Sequence, residues 1–125
     1  STGARFPEYH TSADNLECVK PSSLADSYRK CMEICYVLEG NRVFRNLMPN
    51  GEPQLGKRGL YGAMGGLAGG GRGNELLLLW ALNLSDGSHA LLDIADRFGL
   101  SFRQVRHAAD LLLEHGLLEE VEGAR

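Results

Sequence analysis

Residues 62–73 constrain the fold of this chain more than any other stretch, because seven of those twelve are glycine. Glycine gives up much conformational entropy on ordering and brings no side chain to bury, so the run reads as a linker between two differently patterned halves. A phosphate-cradling loop would need a strand before it and Gly-Lys-Ser/Thr or Gly-x-Gly-x-x-Gly in place. Gly69-Gly70-Gly71-Arg72-Gly73 is not followed by Lys-Ser/Thr. The expected organisation is a first segment over 1–61, a linker over 62–73 and a second domain over 74–125.

The second domain has the clearer pattern. Asn74 is placed to cap a helix that runs through Leu84 and is apolar on most sides. Ser85-Asp86-Gly87-Ser88 reads as a turn and a new cap. Leu91, Leu92, Ile94, Ala95 and Phe98 recur at helical spacing up to Gly99. Ser101 with Gln104 makes a capping box for a third helix, whose buried face is Val105, Ala108, Ala109, Leu112 and Leu113. His115-Gly116 ends it, and Leu117 to Val121 is a short strand. Three helices, a glycine loop between the last two and a strand outline a winged helix-turn-helix. A full two-stranded wing is not expected, since four residues follow Val121.

The first segment cannot bury enough surface alone. Pro21-Ser22-Ser23 starts a helix with an apolar stripe of Leu24, Tyr28, Cys31, Met32, Cys35 and Leu38, closed at Gly40. The stripe predicts packing against something larger, with Cys31 and Cys35 buried as small hydrophobes rather than clipping a metal. Residues 42–47 predict a strand, 49–53 a turn, and 54–61 a returning strand weakened by two glycines. One helix and a hairpin do not make an independent core.

Ahead of the helix, His10 sits in a polar, turn-forming run, Thr11-Ser12-Ala13-Asp14-Asn15. Asp14 is placed to fix the imidazole tautomer or the loop itself, the usual way a metal-binding or catalytic histidine is held. A loop histidine with a nearby aspartate is common, so the residues alone leave the role open.

Three stretches carry a resemblance. Tyr9-His10-Thr11-x-x-Asp14-Asn15-Leu16, Glu39-Gly40-Asn41-Arg42 and the string from Gly51 to Tyr61 (Gly-Glu-Pro-Gln-Leu-Gly-Lys-Arg-Gly-Leu-Tyr) resemble the zinc-dependent aminopeptidase clan, in particular a branch associated with polysaccharide-biosynthesis genes and ending in a winged helix. The resemblance implies an α+β fragment: the tail of an α/β zinc-aminopeptidase-like domain followed by a mostly α winged helix domain. It implies that His10 is a zinc ligand, that Thr11 and Asp14 support it, and that Tyr9 is a wall of the substrate pocket. The remaining ligands and the general base belong to earlier segments, so this chain alone is not expected to catalyse. The implied chemistry of the parent is attack of metal-activated water on an amide carbonyl, in a peptide or another amide.

Other candidates weigh less. Lys57-Arg58 could meet a substrate carboxylate or phosphate, or be an ordinary solvated turn. Arg103, Gln104 and Arg106 are types that read bases or phosphates, at the start of the third helix. Against DNA stands charge: 1–73 hold nine Lys/Arg and seven Asp/Glu, net +2, while 74–125 hold four and nine, net −5, together the −3 of the chain. An acidic domain repels phosphate, so nucleic acid is not the expected partner. The expected partners are the remainder of the catalytic domain and further copies through the winged helix. The competing reading is a non-catalytic regulator that binds protein or DNA. Three cysteines without a Cys-x-x-Cys suit the cytoplasm, no run approaches a membrane span, and the opening at Ser1 reads as a fragment.

Overall fold

The computed structural model describes residues 7–8, 10–51, 53–60 and 72–122. The chain divides into two compact units, Ser1–Tyr36 and Val37–Arg125. The expected linker lies almost wholly outside the described residues, as does Tyr9.

In the first unit the chain turns repeatedly before it becomes helical. The amide of Thr11 bonds to the Glu8 carbonyl at 3.0 Å, that of Asp14 to Thr11 at 3.1 Å and that of Cys18 to Asn15 at 3.0 Å. Helix α1 then spans Pro21–Gly40, with Pro21 at the first position, where a missing N–H costs nothing. Its stripe is not buried: Leu24, Tyr28 and Met32 are all at least half exposed. Cys31 and Cys35 are exposed as well, contrary to the expectation that they pack in a core. Helical spacing shows that a stripe exists but not which atoms cover it.

The second unit is built on a three-stranded antiparallel sheet of order β2-β1-β3, in which β1 is Val43–Asn46, β2 is Asp86–Ala90 and β3 is Leu118–Glu120. Three helices complete it: α2 (Arg72–Leu84), α3 (Leu91–Phe98) and α4 (Phe102–Glu114). Helix α4 packs on both α2 and α3. The core joins Leu77, Leu78 and Ala81 of α2 to Leu91 and Ile94 of α3, and to Val105, Ala108 and Leu112 of α4. Trp80 stacks on Phe98 with ring centroids 4.4 Å apart, tying α2 to α3.

Several expectations meet their elements here. Ser101 Oγ accepts the Gln104 amide at 3.3 Å, and Gln104 Oε1 accepts the Ser101 amide at 3.1 Å. Gly99 ends α3 in the left-handed conformation at φ 63°. His115 caps α4, and its Nδ1 lies 2.9 Å from the Leu111 carbonyl.

Others are corrected. Residues 86–88 begin a strand rather than a turn and cap. Asp86 Oδ1 accepts the amides of Ser88 (2.8 Å) and His89 (3.2 Å), which lets the polar run lie along β1 with Gly87 at φ 88°. The register moves from Val43↔Ala90 to Arg45↔Asp86, so residues 87–89 face a single residue of β1. The return strand expected over 54–61 is absent among the described residues; turns occupy 55–59, and Leu55 and Leu60 plug the core with no exposed surface. Helix α2 begins at Arg72, two residues before the expected cap at Asn74.

The wing is also more complete than the tail of the sequence suggests. β3 pairs with β1 through Phe44↔Glu120, Arg45↔Glu119 and Asn46↔Leu118. The strand from the first segment therefore lies at the centre of the sheet and supplies the partner that the chain after Val121 is too short to provide.

Candidate functional site

His10 stands on the loop ahead of α1, exposed, with its backbone at φ 59°. No other described non-glycine residue has positive φ. Left-handed backbone costs a residue with a Cβ on the order of 1 kcal/mol, so the surrounding turns must hold it. Thr11 does much of that: its Oγ1 donates to the Glu8 carbonyl at 2.7 Å and accepts the Ala13 amide at 3.2 Å. Asp14 lies on the same loop, its amide bonded to the Thr11 carbonyl at 3.1 Å. Cys18 Sγ donates to the Ala13 carbonyl at 2.9 Å and closes the loop.

These residues do not by themselves fit a zinc ion. Among the described residues no three His, Cys, Asp or Glu come together as a metal group. A catalytic zinc needs about three protein ligands, and this loop supplies a single imidazole as its donor of choice.

Lys57 and Arg58 sit on the exposed turn of the second unit. A hollow of about 470 Å³ there is lined by Met48, Pro53, Gln54, Lys57 and Arg58. Arg58, itself exposed, reaches toward the end of α4: its Nη1 donates to the His115 carbonyl at 3.5 Å, where a cation suits the helix dipole.

At the start of α4 the three nucleic-acid candidates have separate surroundings. Arg103 is exposed. Gln104 Oε1 serves the cap, bonding Ser101 Oγ at 2.7 Å. Arg106 Nε donates to Asp110 Oδ1 at 3.2 Å.

Sequence reasoning missed the long-range bonds of Asn41 and Arg42. α3 has Ala90 at its N-cap, which has no side-chain acceptor. The first amides of α3 are served from far away: Asn41 Oδ1 accepts Leu92 N–H at 2.9 Å, and the Arg42 carbonyl accepts Leu91 N–H at 3.0 Å. Arg42 Nε also pairs with Glu120 at 2.9 Å. An uncapped helix start at Ala90 was the signal that a distant cap was needed.

Asp86 anchors β2 with strong local bonds. The Ser88 hydroxyl (2.7 Å) and amide, then His89 Nδ1 at 3.0 Å, hold its carboxyl well below the usual carboxylate range.

A winged helix-turn-helix family matches residues 42–120, from β1 to the end of β3. The chain belongs to that family. A separate domain of unknown function matches residues 1–41. The winged helix and the segment before it are together 47% identical, over 116 residues, to a Clostridium acetobutylicum protein named for polysaccharide biosynthesis and an aminopeptidase-like domain. That match covers 93% of this chain and 26% of the relative, in its C-terminal part. A crystal structure from the same organism, described as a peptidase, matches with TM-score 0.77 and 45% identity over 93% of this chain and 24% of the other. The chain thus spans about a quarter of the length of each. Among the described residues no helix is long and apolar enough to cross a membrane.

Proposed function

We propose that this chain serves as the C-terminal portion of a zinc-dependent aminopeptidase-like hydrolase acting on amide or peptide bonds. Its winged helix is an interaction module, and its N-terminal loop brings one metal-ligating histidine. The observation that carries this reading is His10, an exposed imidazole on a backbone held at φ 59° by the turns around Thr11. Strained, braced side chains of this kind concentrate at functional sites. The names of the C. acetobutylicum relatives, peptidase and aminopeptidase-like, support the same direction. The open stripe of α1 supports the remainder of the catalytic domain as the neighbour of this segment, since large apolar surface is costly to leave in water. The three free cysteines fit a cytoplasmic protein.

The role of His10 is to donate an imidazole nitrogen to a centre whose other donors lie outside this chain, with Thr11 holding the turn and Asp14 the loop. The test is hydrolysis of a panel of aminoacyl amides by the intact parent protein. The reading predicts measurable turnover that falls at least a hundredfold in His10→Ala; equal turnover in both proteins contradicts it.

A further inference from the structure

Two places in this chain join an aspartate or asparagine to a glycine, Asn50-Gly51 and Asp86-Gly87. Such pairs share one reaction, because glycine has no side chain to shield its amide nitrogen from the side-chain carbonyl carbon of the residue before it. The fold treats the two pairs oppositely.

Asp86 is fully engaged. Its Oδ1 accepts the Ser88 hydroxyl at 2.7 Å, the Ser88 amide at 2.8 Å and the His89 amide at 3.2 Å, while Oδ2 lies 3.0 Å from His89 Nδ1. Hydrogen bonds of this kind keep the carboxyl ionised, and an ionised carboxylate resists attack by an amide nitrogen. Ring closure at Asp86 would also have to break the bonds that seat β2.

Asn50 has none of these restraints. It lies with Pro49 in the turn that follows β1, and Asn50 and Gly51 are both exposed. Among the described residues neither makes a hydrogen bond. Gly51 has φ 152°, and a Cβ built there would meet no atom within 4 Å. Asn50 also borders a hollow of about 340 Å³ shared with Leu47, Met48, Pro49 and Pro53, so the side chain has room to swing. Every other asparagine precedes leucine, arginine or glutamate. Asn15, Asn41 and Asn46 are moreover tied through their own amides, to Glu17, to Leu92, and to Met48 and Leu82.

We propose that Asn50-Gly51 is a deamidation site built into the turn after β1, where this chain first converts an amide to a carboxylate without an enzyme. The Gly51 backbone nitrogen attacks Asn50 Cγ. The new N–Cγ bond forms as the Cγ–Nδ2 bond breaks, and the Gly51 amide proton leaves with the side-chain nitrogen as ammonia. Water then opens the five-membered succinimide at either carbonyl, giving aspartate or isoaspartate. Both products carry a new negative charge, and the iso form lengthens by one carbon the turn that leads from β1 to the buried Leu55. This inference is independent of the role of His10.

The test incubates the 125-residue chain in warm, mildly alkaline buffer, beside a free peptide of residues 47–54. Peptide mapping by mass spectrometry reads the amide-to-acid mass gain, and isoaspartyl-specific methylation reads the iso product. The expected result is conversion at residue 50 before any other position, within about tenfold of the peptide's rate, since an exposed turn restrains its backbone little. Conversion slower than that, or first at another residue, would overturn the proposal. Asn50→Gln, whose extra methylene makes the attack close a six-membered ring, should remove the isoaspartyl signal while the fold, followed by near-UV circular dichroism, is kept. An undiminished signal in that variant refutes the assignment, and the wild-type map decides even if the variant fails to fold.

Discussion

Asn41 Oδ1 accepts the backbone N–H of Leu92 at 2.9 Å, joining the residue just after α1 to the first turn of a helix fifty-one positions away. This bond performs the N-capping that Ala90 cannot. Removing a side-chain cap typically costs 0.5–2 kcal/mol. Asn41→Ala should therefore lower the unfolding free energy by about 1 kcal/mol, and Asn41→Asp, which keeps the acceptor, by much less. Urea unfolding followed by far-UV circular dichroism checks both.

Leu55 has no exposed surface, although it lies in a turn of the segment before the glycine-rich run. If this turn belongs to the core of the second unit, Leu55→Ala should cost 2–5 kcal/mol, as for other buried leucines. A loss below about 0.5 kcal/mol, the size expected for an exposed site, would show that the turn is peripheral. The unfolding midpoint measures it.

The Asp86 carboxyl is held below its ordinary range, first by Ser88 and then by His89. A depressed folded value means that its contribution is present above the unfolded value near 4 and fades as pH falls through the folded one. Its side chain is about half exposed, so the effect is small. Asp86→Asn should flatten the stability loss below pH ~4 while leaving the slope at neutral pH unchanged. Thermal unfolding across pH 2–7 reads the difference.

His10 occupies left-handed backbone. Glycine adopts that conformation without a Cβ penalty, so His10→Gly should leave the melting temperature of the parent protein unchanged or raise it slightly. It should nevertheless lose whatever the imidazole supplies. A large drop in melting temperature would mean that the side chain is there for packing.

The elements of α3, α4 and β3 were legible because their signals are local: Ser101 and Gln104 lie three apart, Gly99 stops a helix, and Val105 to Leu112 keep one period. What was not legible depends on distant partners. Val43–Asn46 looks like a strand in sequence, but nothing local says that it pairs with residues 118–120. Asp86-Gly87-Ser88 has turn chemistry and becomes a strand only because β1 lies beside it. Cys31 and Cys35 follow an apolar period whose cover the described residues do not supply. The Glu39–Arg42 string carried a resemblance, yet its work as a clasp appears only once α3 and β3 are in place. At the candidate site, the turn around Thr11 was readable from residue types, whereas the left-handed backbone of His10 was not.

Zinc content of the intact parent protein by elemental analysis, wild type beside His10→Ala, tests the central claim most directly. The account predicts bound zinc in the wild type and a clear loss in the variant, with both proteins folded. Equal zinc in the two, or none in either, would contradict it.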